Sequence, residues 1–331
     1  MKGKNIKTHL KRKIGDWIAN IGDQTVKDAI LENAIITGGA IVSLLQDEKP
    51  HDYDIYFRNE ESLKLVAEYY VKKYIEANKE KFEKEGLCPS VQRCYWDEER
   101  KVWSVLSENS SKRDDERIRV FIRSEGAVGV DYEPHGETDS QYRRAMARIG
   151  EELKKNPKTS IGELPAYSPI FITNNAITLK NDVQIILRFY GSPEEIHKNY
   201  DFVHCTSYWT SWDNKLVMPA RALEAIINKE LYYVGSKYPL CSIIRSRKFL
   251  KRGWHIDAGQ YVKMVLQLNT LDLKNLHVFE EQLIGVDSAY FSAVINKVNK
   301  LQEDGVKVDE TYLIKLINEV FDESTKEDDE V

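Results

Sequence analysis

Two aspartates, Asp52 and Asp54, stand one residue apart in the segment DYDIYF, which alternates and is rich in aromatic residues. Such alternation predicts a β-strand, and side chains two positions apart project from the same face of a strand. Two carboxylates that face the same way repel each other, and a divalent cation relieves that repulsion. We therefore interpret the pair as a site for a divalent metal ion.

A glycine pair precedes these aspartates. Gly38 and Gly39 end the apolar run AIIT, and the segment AIVSLL that follows has helical spacing and contains Ser43. This order predicts a strand, a tight turn and a helix whose N-terminal amides favour a phosphate. A phosphate cradle beside a metal-binding carboxylate pair is what phosphoryl-type transfer needs. A second acidic pair, Asp131 and Glu133 in VDYE, lacks this context.

The order of strand, Gly-Gly, serine-bearing helix and DxD strand resembles the core of the DNA polymerase β-like nucleotidyltransferase superfamily. That superfamily includes CCA-adding enzymes, poly(A) polymerases and antibiotic adenylyltransferases. The resemblance implies a third carboxylate on a neighbouring strand, between two hydrophobic residues. Asp201 in YDFVHC fits this context, and we predict that it lies on a strand. Asp201 is preferred to Asp131 because residues 175–205 as a block resemble nucleotidyltransferase-like proteins of phages and large viruses.

A second match lies in PLCSIIRSRKFLKRGWHI, residues 239–256. It resembles the segment after the catalytic domain of CCA-adding enzymes and poly(A) polymerases, where an Arg-x-x-Arg-Phe helix holds the nucleotide or the neck. Arg245, Lys248 and Arg252 fall at helical spacing and can share one face, with lysine in place of the second arginine. A solvated helix face is the alternative. The base-reading Glu-Asp-x-x-Arg motif of CCA-adding enzymes is not evident after residue 258.

The elements that must position these residues indicate an α+β fold. We expect a nucleotidyltransferase-type mixed sheet with flanking helices, followed by an all-helical C-terminal domain. The expected domains are a catalytic domain at 1–215 with an insertion at about 88–165, a helical domain at 216–322, and an acidic, disordered tail at 323–331. Within the first domain, KVWSVL and RIRVFIRS predict strands, and Asn174-Asn175 predicts a hairpin turn.

Composition limits the classes of function. The 331 residues carry a formal net charge of -5, which argues against nonspecific coating of nucleic acid but leaves room for local basic patches. Four dispersed cysteines without CxxC spacing predict reduced thiols and no zinc site. We find neither a signal peptide nor an apolar run long enough to span a membrane. These features predict a soluble protein of the cytoplasm, which is the host cytoplasm if a phage encodes the chain.

Two further features have structural interpretations. His204 and Cys205 are adjacent, so on a strand they would point to opposite faces, which favours a packed cysteine and an ordinary histidine over Cys/His catalysis. Trp209 and Trp212 can stack on a base, but core packing is the favoured role.

The resulting hypothesis is a metal-dependent nucleotidyltransferase that moves NMP from an NTP to an acceptor hydroxyl and releases pyrophosphate. Asp52 and Asp54 would bind two Mg²⁺ ions, or Mn²⁺, and Asp201 would complete the second ion site. The residues expected to hold the nucleotide are Gly38, Gly39, Ser43, Arg245, Lys248 and Arg252. The first choice of acceptor is an RNA 3′ end such as that of tRNA. The alternatives are a small-molecule or protein hydroxyl, and a noncatalytic protein that binds or scaffolds.

Overall fold

The computed structural model describes residues 2–85, 87–97, 102–107, 110–111, 113, 116–124 and 164–273, with the single residues 278, 282 and 318. Its packing divides the chain into two compact units, Met1–Asn228 and Lys229–Val331. The domain boundary predicted after residue 215 lies one helix before this division, because the helix Ala220–Asn228 belongs to the first unit.

Several predicted features lie outside the described residues. They are the Asp131 and Glu133 pair, most of the expected insertion beyond residue 124, most of the expected helical domain beyond residue 273 and the tail at 323–331.

The described helices of the first unit are amphipathic or capped. Helix α1 buries Ile6, Leu10, Ile14 and Trp17, a stripe with spacings of three and four residues. Helix α2 begins after Asp23, whose carboxylate accepts hydrogen bonds from the amides of Thr25 and Val26. The helices are α1 (Gly3–Ala19), α2 (Gln24–Asn33), α3 (Gly39–Leu45), α4 (Glu60–Ala77), α5 (Lys79–Glu85), α6 (Pro193–His197) and α7 (Ala220–Asn228).

The main sheet of this unit has seven strands in the order β10-β9-β1-β2-β8-β7-β6. Strands β2 and β8 pair in parallel, and the other neighbours pair antiparallel. This mixed sheet with flanking helices confirms the predicted α+β class. Its strands are β1 (Ala34–Thr37), β2 (Tyr53–Phe57), β6 (Pro169–Ile172), β7 (Ala176–Leu179), β8 (Val183–Ile186), β9 (Tyr208–Thr210) and β10 (Leu216–Val217). The turn predicted at Asn174-Asn175 joins β6 to β7 and is confirmed.

A second, antiparallel sheet in the order β4-β3-β5 lies within the predicted insertion. It consists of β3 (Leu87–Asp97), β4 (Val102–Val105) and β5 (Arg117–Ser124), so the strands predicted in KVWSVL and RIRVFIRS are confirmed. Arg93 of β3 joins this sheet to the rest of the unit. Its Nε lies 2.8 Å from Glu60 Oε1 at the start of α4, and its Nη2 lies 2.9 Å from Glu116 Oε2.

The two faces of the main sheet pack differently. Ile36, Ile55 and Ile185 belong to the large core that includes helices α1 to α4. Because side chains alternate along a strand, the neighbouring residues face the other way, where Ile35 and Tyr56 pack with Ile196 of α6. Asp54 shares the face of Tyr56 and therefore points away from the large core.

The second unit contributes two longer described helices, α8 (Pro239–Lys251) and α9 (Ala258–Leu268). Both lie in the stretch predicted to be helical, and α8 confirms the helix predicted in PLCSIIRSRKFLKRGWHI. In the described part of the chain, no helix combines the length and apolar character that a membrane span requires.

Candidate functional site

The turn between β1 and α3 brings the glycine pair to the first aspartate strand. Gly38 is the N-cap of α3 and has φ 86° and ψ -146°, a conformation that glycine tolerates far better than other residues. A Cβ built on Gly38 would lie 3.6 Å from Asp54 Oδ2 and 3.6 Å from the Tyr200 hydroxyl. A Cβ built on Gly39 would meet no atom of the described residues within 4 Å, and Gly39 is exposed. The start of α3 is therefore open beside the Asp54 carboxylate.

The two aspartates occupy different environments. Asp54 lies on β2 and is partly buried, whereas Asp52 is exposed and precedes the strand. Asp52 lines a groove of about 370 Å³ whose polar lining residues are His51, Asp52, Thr178, Lys180, Asn181, Asp182 and Gln184. The predicted strand is thus confirmed for Asp54, which lies on β2, while Asp52 is the residue directly before β2.

A polar row crosses the sheet at the level of Asp54. Gln184 of β8 is the parallel register partner of Asp54, and Thr178 of β7 is the partner of Gln184. On the other side, Ile36 pairs with Ile55, so the next step of the register sets Thr37 opposite Asp54. The row therefore runs through Thr37, Asp54, Gln184 and Thr178 on one face of the sheet.

Thr37 is held by a buried network on this face. Its hydroxyl is hydrogen-bonded to His197 Nε2 at 2.8 Å and donates to the Ser207 carbonyl at 2.9 Å. Burial lowers the pKa of His197 to about 4, which keeps the imidazole neutral at pH 7. His197 sits in α6, a short helix that begins with a capping box formed by Ser192 and Glu195.

Tyr200, which follows α6, lies near the Asp54 carboxylate and packs with two other rings. The rings of Tyr200 and His197 lie 5.0 Å apart, and those of Tyr200 and Tyr56 lie 6.2 Å apart. Burial raises the pKa of Tyr200 well above its ordinary value, and the Tyr56 hydroxyl and Asp54 carboxylate raise it further. Tyr200 therefore stays protonated and can donate a hydrogen bond towards the site.

Asp201 does not lie on a strand, so that prediction is wrong. It occupies a bend, and a 3₁₀ turn at Val203–Thr206 follows. The physical reason is that the chain here must return from α6 to β9. The Cys205 carbonyl accepts the Gly38 amide at 3.2 Å, and such turn bonds replace strand pairing. Asp201 is buried, at 4% exposure.

The 3₁₀ turn also changes the interpretation of its neighbours. His204 and Cys205 lie in one turn and are both buried, rather than on opposite faces of a strand. The predicted core role of Trp209 is confirmed, since it is 1% exposed and its Nε1 donates to Asn214 Oδ1 at 2.8 Å. Trp212 is instead 37% exposed, and the Arg58 guanidinium stacks on its ring at 4.6 Å.

The remaining predicted residues fall on helices. Ser43 lies on α3, as predicted, and is buried. Arg245 and Lys248 are exposed on α8, and the exposed Arg252 is its C-cap residue. These three belong to the second unit, while the aspartates belong to the first. Contact of any of these side chains with a nucleotide stays a prediction.

The donor atoms of Asp52 and of three members of the polar row suit a hard cation. Asp52 and Asp54 offer carboxylate oxygens, Gln184 a carboxamide oxygen and Thr178 a hydroxyl, and oxygen donors are what Mg²⁺ prefers. Within the described ranges, no three His, Cys, Asp or Glu side chains are grouped so that they could hold one ion. The participation of Asp201 in a metal site therefore stays a prediction.

Sequence reasoning missed four residues of this site, namely Thr37, Gln184, His197 and Tyr200. One signal was available for Gln184, because Val183 and Ile185 flank it with the same hydrophobic context that singled out Asp201. Thr37 directly precedes the glycine pair. His197 and Tyr200 carry no local signal, since only the fold brings α6 over the sheet.

Comparison with known proteins gives one match to a family and several to solved structures. The model of the family described as "Gad2: Gabija anti-defense 2 family protein" matches residues 8–229. Among curated proteins, none matches this chain significantly in sequence.

Two solved structures are similar at low scores. A Thermotoga maritima CCA-adding enzyme complexed with tRNA has a TM-score of 0.35 and 10% identity, covering 94% of this chain and 68% of that chain. A tRNA-processing enzyme in an apo form has a TM-score of 0.32 and 13% identity, covering 95% of this chain and 63% of that chain. At these scores neither structure transfers a residue role or an activity to this chain.

Proposed function

The chain belongs to the Gabija anti-defense 2 family, and on that premise we propose that it opposes a Gabija defence by nucleotidyl transfer. In the proposed reaction, an acceptor hydroxyl oxygen forms a bond to the α-phosphorus of an NTP. The bond from that phosphorus to the bridging oxygen of the β-phosphate breaks, and pyrophosphate leaves with the electron pair. The hydroxyl proton passes to water.

One observation carries this proposal, the approach of Asp54 to the Gly38 turn. The ideal Cβ position of Gly38 lies 3.6 Å from Asp54 Oδ2. A carboxylate that can bind a cation thus adjoins an open helix start that can accept a phosphate. Phosphoryl-type transfer requires these two groups next to each other, because the cation must contact the phosphate oxygens.

The chain's residues then have distinct proposed roles. The exposed backbone of Gly39 at the start of α3, next to the Gly38 turn, holds the β- and γ-phosphates. Asp52 and Asp54 hold Mg²⁺, and Asp201 is the proposed additional carboxylate. When bound, Mg²⁺ neutralises charge on the phosphates and lowers the pKa of the acceptor hydroxyl.

We favour an RNA 3′ end as the acceptor. The support is a cluster of exposed cations on α8 and its C-cap, which suits a phosphate backbone. The cluster consists of Arg245, Arg247, Lys248, Lys251 and Arg252. A hydroxyl on a protein of the Gabija system is the second acceptor to test, because the family name specifies that defence.

A noncatalytic role is the second candidate function. The observation that favours it is the neutral Gln184 beside Asp54, together with the lack of a three-ligand group among the described side chains. In that case the chain would bind an NTP with its cation and act through binding alone.

The experiment is incubation of the full chain with each α-labelled NTP and Mg²⁺, with total RNA in one arm and purified Gabija proteins in another. We expect label on one acceptor class, and loss of label in the double variant D52N/D54N. The matched control is D182N, since Asp182 lines the same groove but has no proposed role. Transfer that survives in D52N/D54N would show that the metal assignment is wrong. Mg²⁺-dependent NTP binding by calorimetry, with no labelled acceptor in either arm, would favour the noncatalytic candidate.

A further inference from the structure

The side chain next to Asp54 in the polar row is an amide rather than an acid. We propose that Gln184 is the third side chain of the Asp52/Asp54 site and contributes a neutral carboxamide oxygen where a third carboxylate would add charge. This inference rests on the proposed function, because it assumes that the two aspartates bind a cation.

The register places Gln184 at the site. Gln184 of β8 is the parallel partner of Asp54 of β2, and adjacent strands lie ~4.8 Å apart. Partners in register project from the same face of a sheet, so the two side chains stand next to each other. Gln184 also lines the groove that contains Asp52. Gln184 therefore stands next to Asp54 in the sheet and borders the same groove of about 370 Å³ as Asp52.

A hydrogen bond indicates how the amide is oriented. Gln184 Nε2 donates to Thr178 Oγ1 at 3.4 Å. Thr178 lies on β7, on the side of Gln184 away from Asp54. Because the amide nitrogen is directed to Thr178, the amide oxygen is the atom left to face a cation beside Asp54. Glutamine side-chain oxygens are established ligands of hard cations.

The charge of the site follows from this arrangement. Thr37 and Gln184, the side chains on either side of Asp54 in the row, are both neutral. Within the row, Asp54 is thus the one acidic side chain beside a cation, with Asp52 two positions before it, and a triphosphate supplies the negative charge that an acid in place of Gln184 would otherwise provide. We infer that the protein without nucleotide binds divalent cations weakly, and that cation and nucleotide bind together.

The test uses Mn²⁺ alone as the probe, measured by calorimetry on the full chain without nucleotide. The variant Q184E keeps the size of the side chain and adds one carboxylate beside Asp54. We expect Mn²⁺ affinity to rise by about tenfold or more, because a unit charge about 4 Å away attracts strongly at partly buried sites. The matched control is Q24E, which makes the same change at an exposed position on α2 and is expected to leave affinity unchanged.

A second variant keeps the test decisive if Q184E unfolds. Q184L removes the amide oxygen at nearly constant size, and we expect it to weaken Mn²⁺ binding several-fold. Mn²⁺ affinity that is unchanged in both Q184E and Q184L, while D54N weakens it, would overturn the role of Gln184 and leave the proposed function standing. Mn²⁺ affinity that is unchanged by D54N in both the wild-type and Q184E backgrounds would instead overturn the site itself.

Discussion

The carboxylate of Asp54 adjoins the backbone of Gly38, since a Cβ on Gly38 would lie 3.6 Å from Asp54 Oδ2. The contact couples the glycine turn to the strand of aspartates. It arises because Gly38 takes the positive φ of 86° that ends β1 and starts α3. The proposed phosphate turn and the proposed metal ligand therefore form one site.

This relationship predicts different effects for the two glycines. G38A forces alanine into a left-handed backbone conformation, and we expect a loss of unfolding free energy of about 1–3 kcal/mol. G39A places a methyl group where, in the part of the chain that the structure describes, no atom lies within 4 Å, so we expect little change or slight stabilisation. Urea denaturation of both variants checks this. Equal stability of G38A and G39A would contradict the account of the turn.

The buried His197 predicts a pH dependence of stability. Burial lowers its pKa from 6.5 to about 4 in the folded protein, so the unfolded chain takes up a proton at higher pH. The contribution of His197 is fully present above about pH 6.5 and is lost as the pH falls towards 4. We expect H197Q, which keeps a donor for Thr37, to lose less stability than the wild type between pH 7.5 and 4.5.

The control for this comparison is H255Q, because His255 has a side chain that is 59% exposed. Urea denaturation at the two pH values measures the difference for each protein. The same loss of stability in H197Q as in the wild type would rule out His197 as a source of the acid sensitivity.

The ion-pair cluster at Arg93 predicts a large effect on stability. The Glu116 side chain is fully buried, and it accepts hydrogen bonds from Arg93 and from the Tyr190 hydroxyl at 2.9 Å. Together these donors lower the pKa of Glu116 against the effect of burial. R93A leaves this carboxylate without its cation, and we expect a loss of about 3–5 kcal/mol in unfolding free energy.

Lys79 provides the matched control for R93A. Its pair with Glu83 spans 3.6 Å, and both side chains are more than 60% exposed, so K79A is expected to cost about 0.5 kcal/mol or less. Denaturant melts of the two variants give the comparison. A loss in R93A as small as that in K79A would mean that the cluster does not stabilise the small sheet.

The basic residues of α8 predict salt-dependent RNA binding. In the triple variant R245A/K248A/R252A, we expect weaker binding to a single-stranded RNA and a salt slope reduced by about 2. The control is K64A/K72A/K79A, which removes the same charge from α4 and α5. Fluorescence anisotropy at several salt concentrations measures both slopes. If the two triple variants bind RNA equally well, α8 is not the RNA-binding surface.

The sequence by itself determined the local elements of the site. The apolar run before Gly38, the helical spacing through Ser43 and the alternation around Asp54 predicted β1, α3 and β2, and all three are present. These signals are local, since glycine at a positive φ and period-two alternation depend on neighbours in the chain. The strands of the small sheet and the Asn174-Asn175 hairpin were predictable for the same reason.

Only the tertiary structure decided which side chains surround Asp54. Tyr-Asp-Phe around Asp201 and Val-Gln-Ile around Gln184 have the same hydrophobic context, so the sequence could not rank them. The parallel register of β2 with β8 brings Gln184 to Asp54, whereas Asp201 lies in a buried bend after α6. Strand pairing joins segments 130 positions apart, from Asp54 to Gln184, and is set by packing over the whole sheet, which no local pattern encodes.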